Sequence, residues 1–263
     1  NNGRESALLT FIQTHATHAT MQNNPAAILA AIDEFGRERD FLMNFGTHKG
    51  AIVTKLITDR ATRIMVELGG YVGYSAILFG SALQRAGGQK YISLELNPHF
   101  ADIARSLIHL ARLQDVVEVM VGGCRDSLRR LREGYLDGTG VDMFFFDHAK
   151  VAYVDDLKLC EELGLVRPGT TVLADNVVVP GTPKYLAYVR RRTGEKVRDA
   201  EAEVEAEAEA GRVRVRDGGD FSVGNPYLVY DTLTVRGLGV TGEEDAVEVS
   251  YCVGSDSAAM ERL

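Results

Sequence analysis

Val141-Asp142-Met143-Phe144-Phe145-Phe146-Asp147-His148-Ala149-Lys150 and, one unit later, Thr170-Thr171-Val172-Leu173-Ala174-Asp175-Asn176 set the architecture of the chain. Each segment is a β-rich apolar run that stops at an acid. A buried parallel strand needs such a run, and it delivers its polar end to the open edge of the sheet, where α/β proteins bind ligands. Asp147, Asp175 and Asn176 then offer hard oxygen donors at the ends of neighbouring strands, a donor type suited to Mg²⁺. Lys150 adds an amine that can receive a proton.

Outward from these runs the same grammar repeats. Strand candidates at Ile64–Glu67, Tyr91–Leu94, Val116–Val121, Val141–Asp147 and Thr170–Ala174 alternate with helical patterns at Ser75–Leu83, His99–Leu110, Ser127–Arg132 and Asp155–Leu163. Repeated strand, helix, strand order implies right-handed crossovers. The expected fold is α/β, a doubly wound, mostly parallel seven-stranded sheet with helices on both faces. Tyr227–Val235 and Ala246–Val253, joined through a glycine-rich connection from Gly237 to Gly242, predict an antiparallel C-terminal edge. Helical patterns at Pro25–Phe35 and Gly50–Ile57 predict a helical cap over about residues 1–60.

A chain of 263 residues with 45% hydrophobic residues can bury the core of one large domain, and a single domain over 1–263 is expected. The net charge of −8 argues against a polyanion-binding surface, so a small molecule is expected as partner and nucleic acid is not. Cys124, Cys160 and Cys252 form no CxxC pair, so spacing indicates neither a disulfide framework nor a zinc site. Without a membrane-length apolar stretch or a signal-peptide pattern, the expectation is a soluble, cytoplasmic protein with no membrane partner, a monomer or weak homodimer. The alternating Glu201–Glu209 run, followed by Arg212, Arg214 and Arg216, marks an insertion over about residues 195–220. It reads as a mobile acidic loop or as a hairpin turning near Ala210-Gly211.

Glu67-Leu68-Gly69-Gly70-Tyr71-Val72-Gly73-Tyr74-Ser75 follows the first strand and opens a helix, so its glycines provide a tight turn with exposed backbone N–H groups. Tyr71 stands where the dinucleotide fingerprint needs its second glycine, which favours a ligand without phosphates. Glu95 ends the second strand, where a carboxylate can accept from both hydroxyls of a ribose. Taken singly, Glu67 reads as a buried acid serving loop N–H groups and Glu95 as a solvated strand end. In this order they favour a nucleoside-like ligand.

These strings together resemble the catechol O-methyltransferases, class I enzymes that use S-adenosylmethionine. The resemblance runs from about Ile28 to Arg190 and rests on Met43-Asn44-Phe45-Gly46 with Lys49-Gly50, Glu67 to Ser75, Glu95-Leu96-Asn97-Pro98, Leu113-Gln114-Asp115, Asp147-His148, Lys150 and Ala174 to Pro183. It implies that Glu67, Gly69, Tyr71 and Ser75 surround the methionine portion of the cofactor, with Met43 and Phe45 beside it. Glu95 would hold the ribose. Leu96, Cys124, Arg125 and His148 would line the adenine, and Asp147 would face both cofactor and metal. Mg²⁺ would take Asp147, Asp175 and Asn176, and Lys150 would be the general base. The acceptor would be a small aromatic diol, lying near Phe41, Lys150, Asn176 and Pro180, where the family has a cis proline.

Several positions depart from the family pattern. Cys124 and Arg125 replace the more usual Ser and Gln. The chain has no tryptophan, and the two framing positions hold Phe41 and Ala149, which implies a wider acceptor pocket that Phe221 or Tyr227 could refill. Val229 stands at the position of a late acid, for which Asp231 or an acid of the Glu run is a substitute. A cofactor-binding homologue with altered or lost acceptor activity is the alternative reading. Nicotinamide-dependent redox catalysis is a third, and it would call for a tighter glycine fingerprint.

Overall fold

The computed structural model describes residues 3–136, 139–211 and 221–256. Its strands are β1 (Ile64–Leu68), β2 (Lys90–Glu95), β3 (Val117–Val121), β4 (Met143–Phe146), β5 (Thr171–Ala174), β6 (Leu228–Leu238) and β7 (Glu244–Ser255). They form one seven-stranded sheet in the order β3-β2-β1-β4-β5-β7-β6. The pairs β1–β2, β2–β3 and β4–β5 are parallel and β5–β7 is antiparallel, as the sequence predicts. The chain divides into two compact units, Asn1–Gly123 with Gly237–Asp245, and Cys124–Arg236 with Ala246–Leu263.

The first unit holds α1 (Arg4–Thr14), α2 (His18–Met21), α3 (Pro25–Glu38), α4 (Thr47–Asp59), α5 (Tyr74–Arg85) and α6 (Pro98–Leu110). Two helix starts are written in the sequence. Asn24 accepts from the Ala27 N–H ahead of Pro25, and Asn97 accepts from the His99 N–H ahead of Pro98. These side chains satisfy donors that the first helical turn leaves open, and proline suits that turn because it has no N–H to lose. Every residue of β1 is buried, and α5 is buried from Tyr74 to Ile77 and from Phe79 to Leu83. Gly80 is what lets α5 approach β3, since a Cβ there would meet Val117 Cγ2 at 2.3 Å.

The second unit holds α7 (Cys124–Arg130), α8 (Tyr153–Glu162), α9 (Pro183–Val189) and α10 (Thr193–Glu209). Its register pairs Met143 with Thr171 and Phe146 with Ala174, so Asp147 and Asp175 are the next residues on adjacent parallel strands. The Asp175 N–H donates to Phe146 O at 2.9 Å, continuing the ladder by one rung. Arg190 grips the fully buried Glu248 through Nε and Nη2, both at 2.9 Å, tying the segment after α9 to β7.

The acidic run corrects both sequence readings of it. Glu201–Glu209 is neither loop nor hairpin but the second half of α10. Glu and Ala are among the best helix formers, and the strand face that the alternation would offer, Ala202, Val204, Ala206 and Ala208, is too small to bury much. Tertiary contacts then anchor the helix. Lys158 Nζ lies 2.5 Å from Glu203, and the buried Lys196 donates to Leu228 O and sits 5.1 Å from the ring centroid of Tyr230. Arg212, Arg214 and Arg216 lie outside the described residues.

Candidate active site

In the first unit the glycine turn is held from three sides. Gly69 and Gly73 have φ of 97° and 88°, and Tyr71 takes the left-handed region at φ 46°. Gly70 is a matter of space, because a Cβ there would stand 2.2 Å from Ser93 Oγ. That hydroxyl donates to Glu67 Oε2 at 2.6 Å, so the buried Glu67 carboxylate is oriented by β2. The Tyr71 hydroxyl donates to Glu5 Oε1 at 2.9 Å, and its ring stands edge-on to Phe100. The N-terminal helix α1 thus pins the turn.

Glu95, 8% exposed, receives the Tyr71 N–H on Oε2 and the Asn97 N–H on Oε1, each at 2.7 Å. Both oxygens are thereby oriented by backbone N–H groups of the glycine turn and of the segment after β2. Burial pushes this carboxyl above its usual range, even though the N–H groups of Asn97, Tyr71, Gly70 and Leu96 hold it down. Ser75 is buried in the first turn of α5. Phe41, Met43 and Leu96 are 48%, 56% and 73% exposed, large apolar side chains left uncovered in this unit, whereas Phe45 is buried against Phe79 and Lys49. The residues present fit a nucleoside with an amino-acid tail: a backbone turn, oriented carboxylates and uncovered apolar side chains.

In the second unit Lys150 Nζ lies 2.8 Å from Asp147 Oδ1 and 2.9 Å from the Tyr153 hydroxyl. Tyr153 is fully buried, and its hydroxyl in turn donates to Phe146 O at 2.7 Å and Asp175 O at 3.3 Å. One phenol therefore ties the amine to the ends of both strands. Asp175 is 2% exposed, and Asn176 follows it in the left-handed region at φ 58°. The Val177–Gly181 turn comes next, with a cis Val179–Pro180 bond. Two carboxylates and an amide are hard oxygen donors that fit Mg²⁺. His148 Nε2 lies 2.9 Å from Asp156 Oδ2 and stacks on Tyr153, while Arg125 Nη2 donates to Ser222 Oγ.

Tyr153, Asp156, Glu5 and Asp245 are partners that sequence reasoning missed. Tyr153 and Asp156 lie on the first turn of α8, three residues past Lys150 and eight past His148, and helical phase from Tyr153 could have flagged them. Glu5 and Asp245 carry no local signal, because each meets its partner from a distant part of the chain.

Residues 66–177 match the family described as "Methyltransferase domain". The chain is 40% identical over 187 residues to the catechol O-methyltransferase of Mus musculus, covering 71% of this chain and 68% of that protein. The chain belongs to the catechol O-methyltransferase family. It is also 36% identical over 197 residues to a probable O-methyltransferase of Mycobacterium tuberculosis, covering 73% of this chain and 81% of that one. The O-methyltransferase TomG from Streptomyces achromogenes, solved in complex with SAM, superimposes with a TM-score of 0.56 at 25% identity over 86% of this chain and 89% of its own. The protein is an S-adenosylmethionine-dependent O-methyltransferase. Among the described residues no helix is long and apolar enough to cross a membrane.

Proposed function

We propose that this enzyme methylates one hydroxyl of a catechol-type aromatic with the help of Mg²⁺. The observation that carries the reading is the register that sets Asp147 beside Asp175, with Lys150 tied to both strand ends through Asp147 and Tyr153. The curated relatives named catechol O-methyltransferases support the acceptor class.

In this reading Glu67, Gly69, Tyr71 and Ser75, with Met43 and Phe45, hold the methionine portion of the donor. Glu95 accepts from its ribose, and Leu96, Cys124, Arg125 and His148 line its adenine. Asp147, Asp175 and Asn176 hold the ion, which when bound supplies Lewis acidity that favours the ionised form of an acceptor hydroxyl. Phe41, Asn176 and Pro180 position the acceptor. Lys150 Nζ receives the proton of the attacking hydroxyl, an oxygen–carbon bond forms, and the carbon–sulfur bond breaks to leave a neutral thioether. The residues contribute chiefly by holding oxygen, carbon and sulfur in line.

The test is transfer of label from S-adenosylmethionine to a panel of phenols and catechols, with Mg²⁺ or with chelator. Chelator-sensitive labelling of vicinal dihydroxy aromatics is expected, with loss in Asp147→Ala. Equal labelling without divalent ion overturns the role of the metal. Cofactor binding without labelling of any diol would instead support a homologue with altered acceptor activity, a reading favoured by the exposed Val229 where the family has an acid.

A further inference from the structure

The fold assembles a cluster that the cysteine spacing did not announce. Cys124 opens α7, His148 follows β4, and Asp156 lies on α8, yet one ligand atom from each falls within 4.8 Å of the others. The α7–α8 packing brings the first and third together. Asp156 is 3% exposed, and the His148 side chain is 10% exposed. His148 Nδ1 is buried and has no hydrogen-bond partner among the described residues. The ring nitrogen placed to share an ion with the carboxylate is Nε2, 2.9 Å from Asp156 Oδ2.

The donor types select the ion. A thiolate, an imidazole and a carboxylate suit a borderline-soft divalent cation, whereas Mg²⁺ takes oxygen. Zinc bonds of about 2.0–2.3 Å put tetrahedral ligand atoms about 3.3–3.7 Å apart. The cluster needs side-chain shifts of about 1 Å to reach that spacing, and three protein ligands leave the fourth position open to water, as in open zinc sites. Cys160, one turn beyond Asp156, is not among the residues whose ligand atoms converge here.

We propose that Cys124, His148 and Asp156 form a second metal site, for Zn²⁺, chemically distinct from the all-oxygen set at Asp147, Asp175 and Asn176. A consequence rests on the cofactor reading above: Cys124 and His148 are the side chains assigned there to adenine, so Zn²⁺ and S-adenosylmethionine exclude one another. Zinc is then an inhibitor that acts at the adenine end.

Co²⁺ titrated into the metal-stripped full chain is the probe. A thiolate-to-cobalt charge-transfer band is expected, unaffected by excess Mg²⁺ and absent in Cys124→Ser, which keeps Cys160 and Cys252 as internal thiol controls. Zn²⁺ binding, read by displacement of Co²⁺, should weaken at least about tenfold in Asp156→Asn. No charge-transfer band, or a band that survives Cys124→Ser, overturns the site. Saturating S-adenosylmethionine should remove the band from the wild-type protein. Cobalt and cofactor bound together would overturn the exclusion while leaving the thiolate site standing. Circular dichroism of Cys124→Ser separates loss of the ligand from loss of the fold.

Discussion

Lys49 and Asp245 form an ion pair of 2.7 Å across 196 positions, with side chains only 2% and 1% exposed. The Lys49 ammonium also sits 5.0 Å from the Phe45 ring centroid, so the pair braces the segment assigned to the donor's methionine end. Removing one partner leaves a buried charge, which costs about 3–5 kcal/mol, whereas replacing both with apolar groups of similar volume is far cheaper. Asp245→Leu alone should lower the denaturant midpoint sharply, and Lys49→Met with Asp245→Leu should restore most of the loss. If the double variant is as unstable as the sum of the single ones, the pair is not what stabilises this region.

Lys150→Ala should lower kcat about 10²–10⁴-fold, the usual worth of a positioned base, while the dissociation constant for S-adenosylmethionine stays unchanged. Its residual rate should climb with pH as the free phenol approaches its own pKa of about 10. Lys150→Arg should not rescue, since a guanidinium does not give up its proton. Wild-type turnover in Lys150→Ala would remove the residue from the mechanism.

Gly70→Ala should act through Ser93. Its Cβ would stand 2.2 Å from Ser93 Oγ, the group that orients Glu67. A stability loss of about 1–3 kcal/mol is expected from overpacking, together with weaker cofactor binding by calorimetry. Adding Ser93→Ala makes room and should recover part of the stability but not the affinity. An unchanged melting temperature in Gly70→Ala would show that the turn yields without cost.

Glu95 gives two pH dependences of opposite sense. Its folded pKa is raised, chiefly by burial, so its contribution to the stability of the cofactor-free protein is full below the unfolded value of about 4.5 and is lost as pH rises through the folded value. Ribose hydroxyls need the ionised form as acceptor. Affinity for S-adenosylmethionine should therefore fall as pH drops toward that same folded value. Glu95→Gln should bind more weakly at neutral pH and flatten both slopes. Calorimetry across pH measures the affinity, and thermal melts measure the stability.

The local grammar of the chain was enough for the element order, the parallel sheet, the glycine turn and the acids at strand ends. Each is set by neighbours in sequence: apolar runs that only a buried strand can satisfy, Asn-Pro at helix starts, glycines where φ turns positive. The helix α10 shows the limit. Its alternation of Glu with Ala and Val has the period of a strand, yet its small side chains bury little and its residues favour helix, and Lys158 and Lys196 complete its docking.

Sequence alone determined that Asp147, Asp175, Asn176 and Lys150 sit where strands end, because strand length and apolar patterning are short-range properties. Packing brings Glu5 to Tyr71, Asp245 to Lys49, and Cys124 to His148 and Asp156. Hydrogen bonds, ion pairs and metal ligation act over a few ångströms of space and are indifferent to separation along the chain. Such pairings exist only once packing has brought distant segments within reach.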